Sequence, residues 1–323
     1  MKGLIICIDN NSFLEPLTYT TPKYMLPAAN APLCEHIIRS LSEANIRDIA
    51  VIIPDNFKNF INSFGNDLKF NCNMKYYSVN KSISAMYALL HAKDFINDDL
   101  IIIFGDNYFD FSLSEYINVF NKSNYDIMVL LKETENIWNH DIAEIEDNKI
   151  LNIANKPKIT QSKYALSNIY FFSRSLLRSL SKGKSLKYIN QDIPLFINHT
   201  VHRGGNVGFK FIDTTWMKIN RTKDLLECNK NILSKMNQNS IISFDARIIK
   251  SEIKDNVSIG KRSIVKNSII SNSIIMDDCI IDSAVLNNCI VGNCSSIIGK
   301  NQIINGVFGD KSNILIMESE SEE

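Results

Sequence analysis

The seven cysteines (7, 34, 72, 228, 279, 289 and 294) contain no C-x-x-C pair. That spacing offers neither a zinc pattern nor a disulfide framework, and free thiols in a reducing cytoplasm are the expectation. There is no excess of either charge: Lys+Arg is 35 and Asp+Glu is 35. A global basic field for nucleic acid is therefore absent, and a nucleic-acid partner is not expected. No apolar run approaches a bilayer span. The start, Met1-Lys2-Gly3-Leu4-Ile5, has only a short apolar run before Asp9 and lacks the long apolar region of a signal peptide. No membrane partner is expected either.

What is present is enough chain, 323 residues, for about two domains. Residues 3–8, 48–54, 100–107 and 125–131 are aliphatic runs of strand length. Between them, 33–46 and 83–96 carry apolar residues at helical spacing. This alternation predicts an α/β domain over 1–236, with a mixed, mostly parallel, Rossmann-like sheet between helices. Ligands in such sheets bind where loops leave the carboxyl ends of strands. The turns Asp9-Asn10-Asn11 and Gly105-Asp106-Asn107 both occupy that edge.

After the predicted connecting helix 222–236 the pattern changes. A small residue followed by two aliphatics recurs at Ser263, Ser268, Ser273, Cys279, Ala284, Cys289 and Ser296. Steps of five to seven residues suit no helix, and the units lack ordinary hairpin turns. A β-solenoid over 241–310 accounts for them: stacked coils bury the aliphatics. Residues 311–323 end in Glu318-Ser319-Glu320-Ser321-Glu322-Glu323 and read as a solvated acidic tail, with an interaction tail as the alternative.

The stretch Pro16-Leu17-Thr18, Pro22-Lys23, Leu26-Pro27, Asn30, Pro32-Leu33 resembles the opening of sugar-1-phosphate nucleotidyltransferases, above all the long form of glucose-1-phosphate thymidylyltransferase. Phe104-Gly105-Asp106-Asn107, Ala143-Glu144, Asn155-Lys156-Pro157-Lys158 and Ile169-Tyr170-Phe171-Phe172 resemble later motifs of that family in the same order. So do Trp216, Asp224-Leu225-Leu226-Glu227 and Asn229. The resemblance covers nearly the whole chain. It implies a nucleotidyltransferase domain followed by a left-handed parallel β-helix.

It also implies a reaction. A sugar 1-phosphate attacks the α-phosphorus of a nucleoside triphosphate, and pyrophosphate leaves. Such chemistry needs backbone N–H groups, cations and magnesium to hold the charge. Lys23 matches a phosphate-facing cation of the nucleotide site, Asp106 the first magnesium carboxylate, and Lys156 a sugar-phosphate contact. Other matched positions depart from the family. Its first loop is glycine-rich and carries an arginine; here it reads Asp9-Asn10-Asn11-Ser12-Phe13, with Phe13 at the arginine and Asp9 adding negative charge. Without glycine the backbone cannot easily reach phosphate. The second magnesium carboxylate aligns with Lys218, which would repel the ion. The sugar-binding glutamate is Asn155, and two sugar-side glycines are Asp141 and Asn168. A further glutamate aligns with Lys187, and a base-contacting glycine with Ser84.

Each retained residue has a plain alternative. Lys23 follows a structural Pro-Lys turn as readily as it contacts a ligand. Asp106 is read as a salt bridge to Lys218 ahead of a metal ligand. Phe13 and Tyr24 are expected to pack over the emptied loop. All five histidines (36, 91, 140, 199 and 202) precede the solenoid, which disfavours acyl transfer there and favours an assembly module. The preferred reading is a member without catalysis, which partners an active paralogue or itself through the β-helix, or senses a nucleotide or sugar-phosphate ligand. It needs no cofactor. An active enzyme with altered phosphate and magnesium binding is the second reading. A structural assembly protein is the third.

Overall fold

The structure is a computed structural model. It describes residues 1–8, 13–56, 70–80, 83–180, 190–300 and 302–316. Asp9, Asn11 and Lys187, singled out in the sequence, lie outside the described residues. The chain divides into two compact units.

The first unit comprises Met1–Asn10 and Cys34–Lys218. Its centre is a nine-stranded sheet. The aliphatic runs Leu100–Phe104, Lys2–Ile6, Asp48–Pro54 and the strand Asn73–Val79 lie side by side and parallel. Leu4, Ile5, Ala50, Val51, Ile102 and Ile103 are inaccessible, as expected where both faces of a parallel sheet are covered. Tyr164–Phe172 continues the sheet beyond Leu100–Phe104 and runs antiparallel to its three neighbours. Its register breaks between Leu166 and Tyr170, where Asn168 takes φ +59°.

The second unit comprises Asn11–Leu33 and Ile219–Glu323. Short parallel strands stack in three ladders, a three-sided β-helix. Ser258 lies beside Ile274, Ile264 beside Ile280, and Ile269 beside Val285, so each repeat stacks on the third one after it. Val265, Ile270, Ile275, Ile281, Leu286, Val291 and Ile297 form the inaccessible core. The small residues have a structural reason. The hydroxyls of Ser263, Ser268 and Ser273 are buried at corners and accept the N–H of Cys279, Ala284 and Cys289, each at 3.0–3.1 Å. Several of the corners turn without glycine. Arg262, Asn267, Asn272, Asp278, Ser283, Asn288 and Cys294, each one residue before a corner or close to it, have φ between +46° and +60°. Asn and Asp tolerate this region best among residues with a side chain.

The ladder continues past residue 310. Asn313–Ile316 pairs with Ser296–Gly299, because the aliphatics Ile314 and Leu315 repeat the strand pattern. Residues 311–316 are thus turn and strand rather than tail, and 317–323 lie outside the described residues. Helix Thr222–Lys235 packs on the first coils through Asn229. Six cysteines are buried thiols, and Cys294 is exposed. No described helix is long and apolar enough to cross a membrane.

Candidate functional site

In the first unit, strand Leu100–Phe104 ends in Gly105, whose N–H bonds the Ile6 carbonyl at 2.9 Å. The chain then enters Asn107–Phe109, which pairs antiparallel with Trp216–Lys218, Lys218 lying opposite Asn107. That register brings Lys218 to Asp106. Its Nζ is 3.8 Å from Oδ2 of Asp106, whose side chain is only 4% exposed against 18% for Lys218. At this distance the gross attraction is on the order of 4 kcal/mol in a protein-like dielectric, and desolvation offsets much of it. The ladder itself is fixed by Trp216, whose indole N–H donates to Asn107 Oδ1 at 3.0 Å and to the Ser167 carbonyl at 3.1 Å.

This pair does not suit a magnesium ion. Magnesium is held through oxygen ligands, typically one or two carboxylates. Lys218 supplies no oxygen, and its ammonium faces the carboxylate that would. Among the described residues no group of three or more His, Cys, Asp or Glu is arranged to hold a metal ion.

The same unit holds Asp141, Asn155, Lys156 and Asn168, the positions expected on the sugar side. Asn155 donates its side-chain amide to Asp141 Oδ1 at 2.8 Å. Burial pushes the Asp141 carboxyl above its ordinary pKa. The charges of Lys156 and Lys218 and the Lys156 backbone N–H pull it down less strongly. Lys156 is exposed, with φ +40°. Asn168 occupies the left-handed conformation, with φ +59°, a region that glycine takes freely and asparagine tolerates. Its Oδ1 accepts the Tyr170 hydroxyl at 2.9 Å. Ser84 has φ −73° and needs no glycine; it caps helix Ala85–His91, accepting the Tyr87 N–H at 3.1 Å.

Lys23 and Phe13 belong to the second unit. Lys23 opens the short 3-10 turn Lys23–Met25 after Pro22. It is buried, and Nζ donates to Asn220 Oδ1 at 3.0 Å. Asn220 is in turn set by Asp224, whose carboxylate accepts the N–H of Asn220 and of Arg221 at 3.0 and 2.8 Å and so caps helix Thr222–Lys235. Tyr24 is buried and the Phe13 ring is 74% exposed; the loop 9–12, over which both are expected to pack, lies outside the described residues. The Phe13 N–H bonds the Asn220 carbonyl at 3.1 Å, and this backbone pairing with residues 220–221 turns the ring outward. The Arg221 guanidinium stands 6.0 Å from the ring centroid.

Sequence reasoning singled out Lys218 and Asp106 as partners, and the structure brings them together. It missed Asn155 as the partner of Asp141, Asn220 as the partner of Lys23, and Arg221 beside Phe13. Arg221 had one signal: it precedes a helix at a position where Ser, Thr, Asp or Asn is usual.

A covered, largely parallel sheet with polar residues where a strand leaves its carboxyl edge defines an α/β class that binds ligands at that edge. The model of the nucleotidyl transferase family matches residues 11–235, and the chain belongs to that family. It is 27% identical over 266 residues to the bifunctional protein GlmU of Methanocaldococcus jannaschii, covering 82% of this chain and 60% of that protein. It is 23% identical over 236 residues to a glucose-1-phosphate thymidylyltransferase of Streptomyces antibioticus, covering 72% and 66%. The chain thus spans under two thirds of the length of the first of these relatives. A solved structure from Bacillus anthracis, assigned as a glucose-1-phosphate thymidylyltransferase in complex with a sucrose, matches with TM-score 0.66 and 26% identity over 71% of this chain and 94% of that one.

Proposed function

We propose that this chain is a non-catalytic member of the sugar-1-phosphate nucleotidyltransferase type, acting as a regulatory or partner subunit. The observation that carries the reading is the ion pair of Lys218 with Asp106 at 3.8 Å. A divalent ion lowers the cost of bringing two anions together by bridging their oxygens. An ammonium tethered at that carboxylate neutralises it but leaves no open coordination position for phosphate oxygens. Phe13 adds to the reading, since an exposed apolar ring brings no charge to the leaving pyrophosphate. Losses in one cooperative site do not multiply, but removal of one charge-stabilising group commonly costs about a hundredfold or more. The reading needs no magnesium. It keeps a nucleotide or sugar phosphate as ligand, with Lys156 and the Asp141 cluster of the first unit as contacts. The buried free thiols suit a reducing, cytoplasmic setting.

The test is pyrophosphate release from each nucleoside triphosphate with magnesium and a panel of sugar 1-phosphates. The reading expects none above a Lys23→Ala control. Calorimetric titration with the same compounds separates a ligand-binding subunit, which gives heat, from a pure scaffold, which gives none.

A further inference from the structure

Two helices of the first unit, Arg174–Ser179 and Ile193–His202, flank a groove of about 430 Å³. That volume lies in the range of small-molecule sites. The floor is apolar: Leu180 and Phe196 are buried and Leu176 is half-buried. The walls are polar. Ser175 and Ser179 stand one turn apart on the first helix, His199 and Arg203 one turn apart on the second, so each pair shares a face. The serine hydroxyls are held in place: Ser175 Oγ is 2.9 Å from Ser173 Oγ, and Ser179 donates to the Leu176 carbonyl at 2.7 Å. Each keeps capacity for a further bond.

The charge pattern favours an anion. Arg203 is permanently charged, and its planar fork fits a carboxylate or phosphate with two parallel bonds. Bare carbonyls at the end of the second helix would oppose this, but they are satisfied by the chain. The N–H of Arg203 and of Gly205 bonds the Thr200 carbonyl, and the N–H of Gly204 bonds that of Val201, at 2.9–3.2 Å. Gly204 makes this ending at φ +74°. Asp126 is the acidic member of the lining, and its Oδ2 already accepts the Asn206 N–H at 3.1 Å.

The groove is remote from Asp106. Strand Tyr164–Phe172 sets Phe172 beside both Leu100 and Ile127, so Asp126 lies at the level where Leu100–Phe104 begins. Gly105 and Asp106 follow the other end of that strand, about 13 Å further along it.

We propose that this groove is a second ligand site, for a small organic anion: a phosphate monoester or a carboxylate with an apolar body. The charged group sits between Arg203 and the two serine hydroxyls, and the body lies on Leu176, Leu180 and Phe196. Binding here needs neither magnesium nor catalysis and does not depend on the function proposed above.

Ligand-observed fluorine NMR on the full chain tests this with para-fluorophenyl phosphate, para-fluorobenzoate and neutral para-fluorophenol. At least one of the two anions is expected to bind at about millimolar concentration or below, at least about tenfold tighter than the phenol. Inorganic phosphate and acetate, which lack the apolar body, are expected to displace it at least about tenfold less well. Arg203→Met is expected to weaken binding about tenfold or more, and Ser179→Tyr, which fills the groove from an exposed position, to abolish it. Lys156→Ala, at the other edge, is expected to leave it unchanged. Thermal melting verifies that each variant is folded; should Arg203→Met melt early, Ser179→Tyr decides. The proposal is overturned if neither anion binds up to about 10 mM, or if the phenol binds as tightly. Binding that Arg203→Met and Ser179→Tyr leave intact, or that Lys156→Ala removes, overturns it as well.

Discussion

The Lys218 ammonium lies 3.8 Å from the Asp106 carboxylate because a two-strand ladder sets residue 218 opposite residue 107. Both strands are anchored by the Trp216 indole on Asn107. The ion pair is thus built by the fold and does not depend on a chance meeting of flexible side chains.

A coupling between the two groups follows. Lys218→Met and Asp106→Asn are each expected to destabilise the chain by about 1–3 kcal/mol. The double variant should lose less than the sum of the two, with a coupling of about 1 kcal/mol in a double-mutant cycle from urea melts. Strict additivity would mean that the pair contributes nothing.

Asp141 gives a pH dependence of definite sign. Burial raises its carboxyl pKa in the folded chain above the ordinary 3.8. The folded state therefore holds its proton more tightly than the unfolded state, and stability is lost as pH rises from 3.8 through the raised folded value. Asp141→Asn removes the buried charge but keeps an oxygen to accept from Asn155. Its melting temperature should exceed that of wild type at pH 7, with the gap narrowing towards pH 3.5. A gap that widens in acid would reverse the assigned cause.

Asn229 is wholly buried and joins the helix Thr222–Lys235 to its surroundings in the second unit. Its Oδ1 accepts the Ala29 N–H at 2.8 Å and the Ser258 hydroxyl at 2.5 Å, while Nδ2 donates to the Asn256 carbonyl at 3.0 Å. Asn229→Ala strands these groups and should cost about 3 kcal/mol in chemical denaturation. A loss below about 1 kcal/mol would show that water replaces the amide.

These partners explain what the sequence could and could not reveal. The sheet and solenoid were legible because uninterrupted aliphatic runs and a small residue every five to seven positions have few other structural meanings. The coil corners were hidden, because Asn272 and Arg262 take φ values of +46° and +56° without glycine. Asn313–Ile316 was hidden by the acidic residues just beyond it. At the site, Lys218 was found by counting back from Asp224. Asn155 on Asp141 was not, since a separation of 14 positions along the chain gives no local signal of a hydrogen bond. The retained motif residues turn out to carry structure: Asp224 caps a helix, Asn229 ties it down, and Asn107 holds Trp216. Selection for the fold alone would keep them.

The most direct test of the central claim is continuous measurement of pyrophosphate release by the purified chain with magnesium, each nucleoside triphosphate and a panel of sugar 1-phosphates. The account predicts a rate equal to that of Lys23→Ala with every pair. Turnover in the wild type that Lys23→Ala abolishes would contradict it and return the chain to the active enzymes of its family.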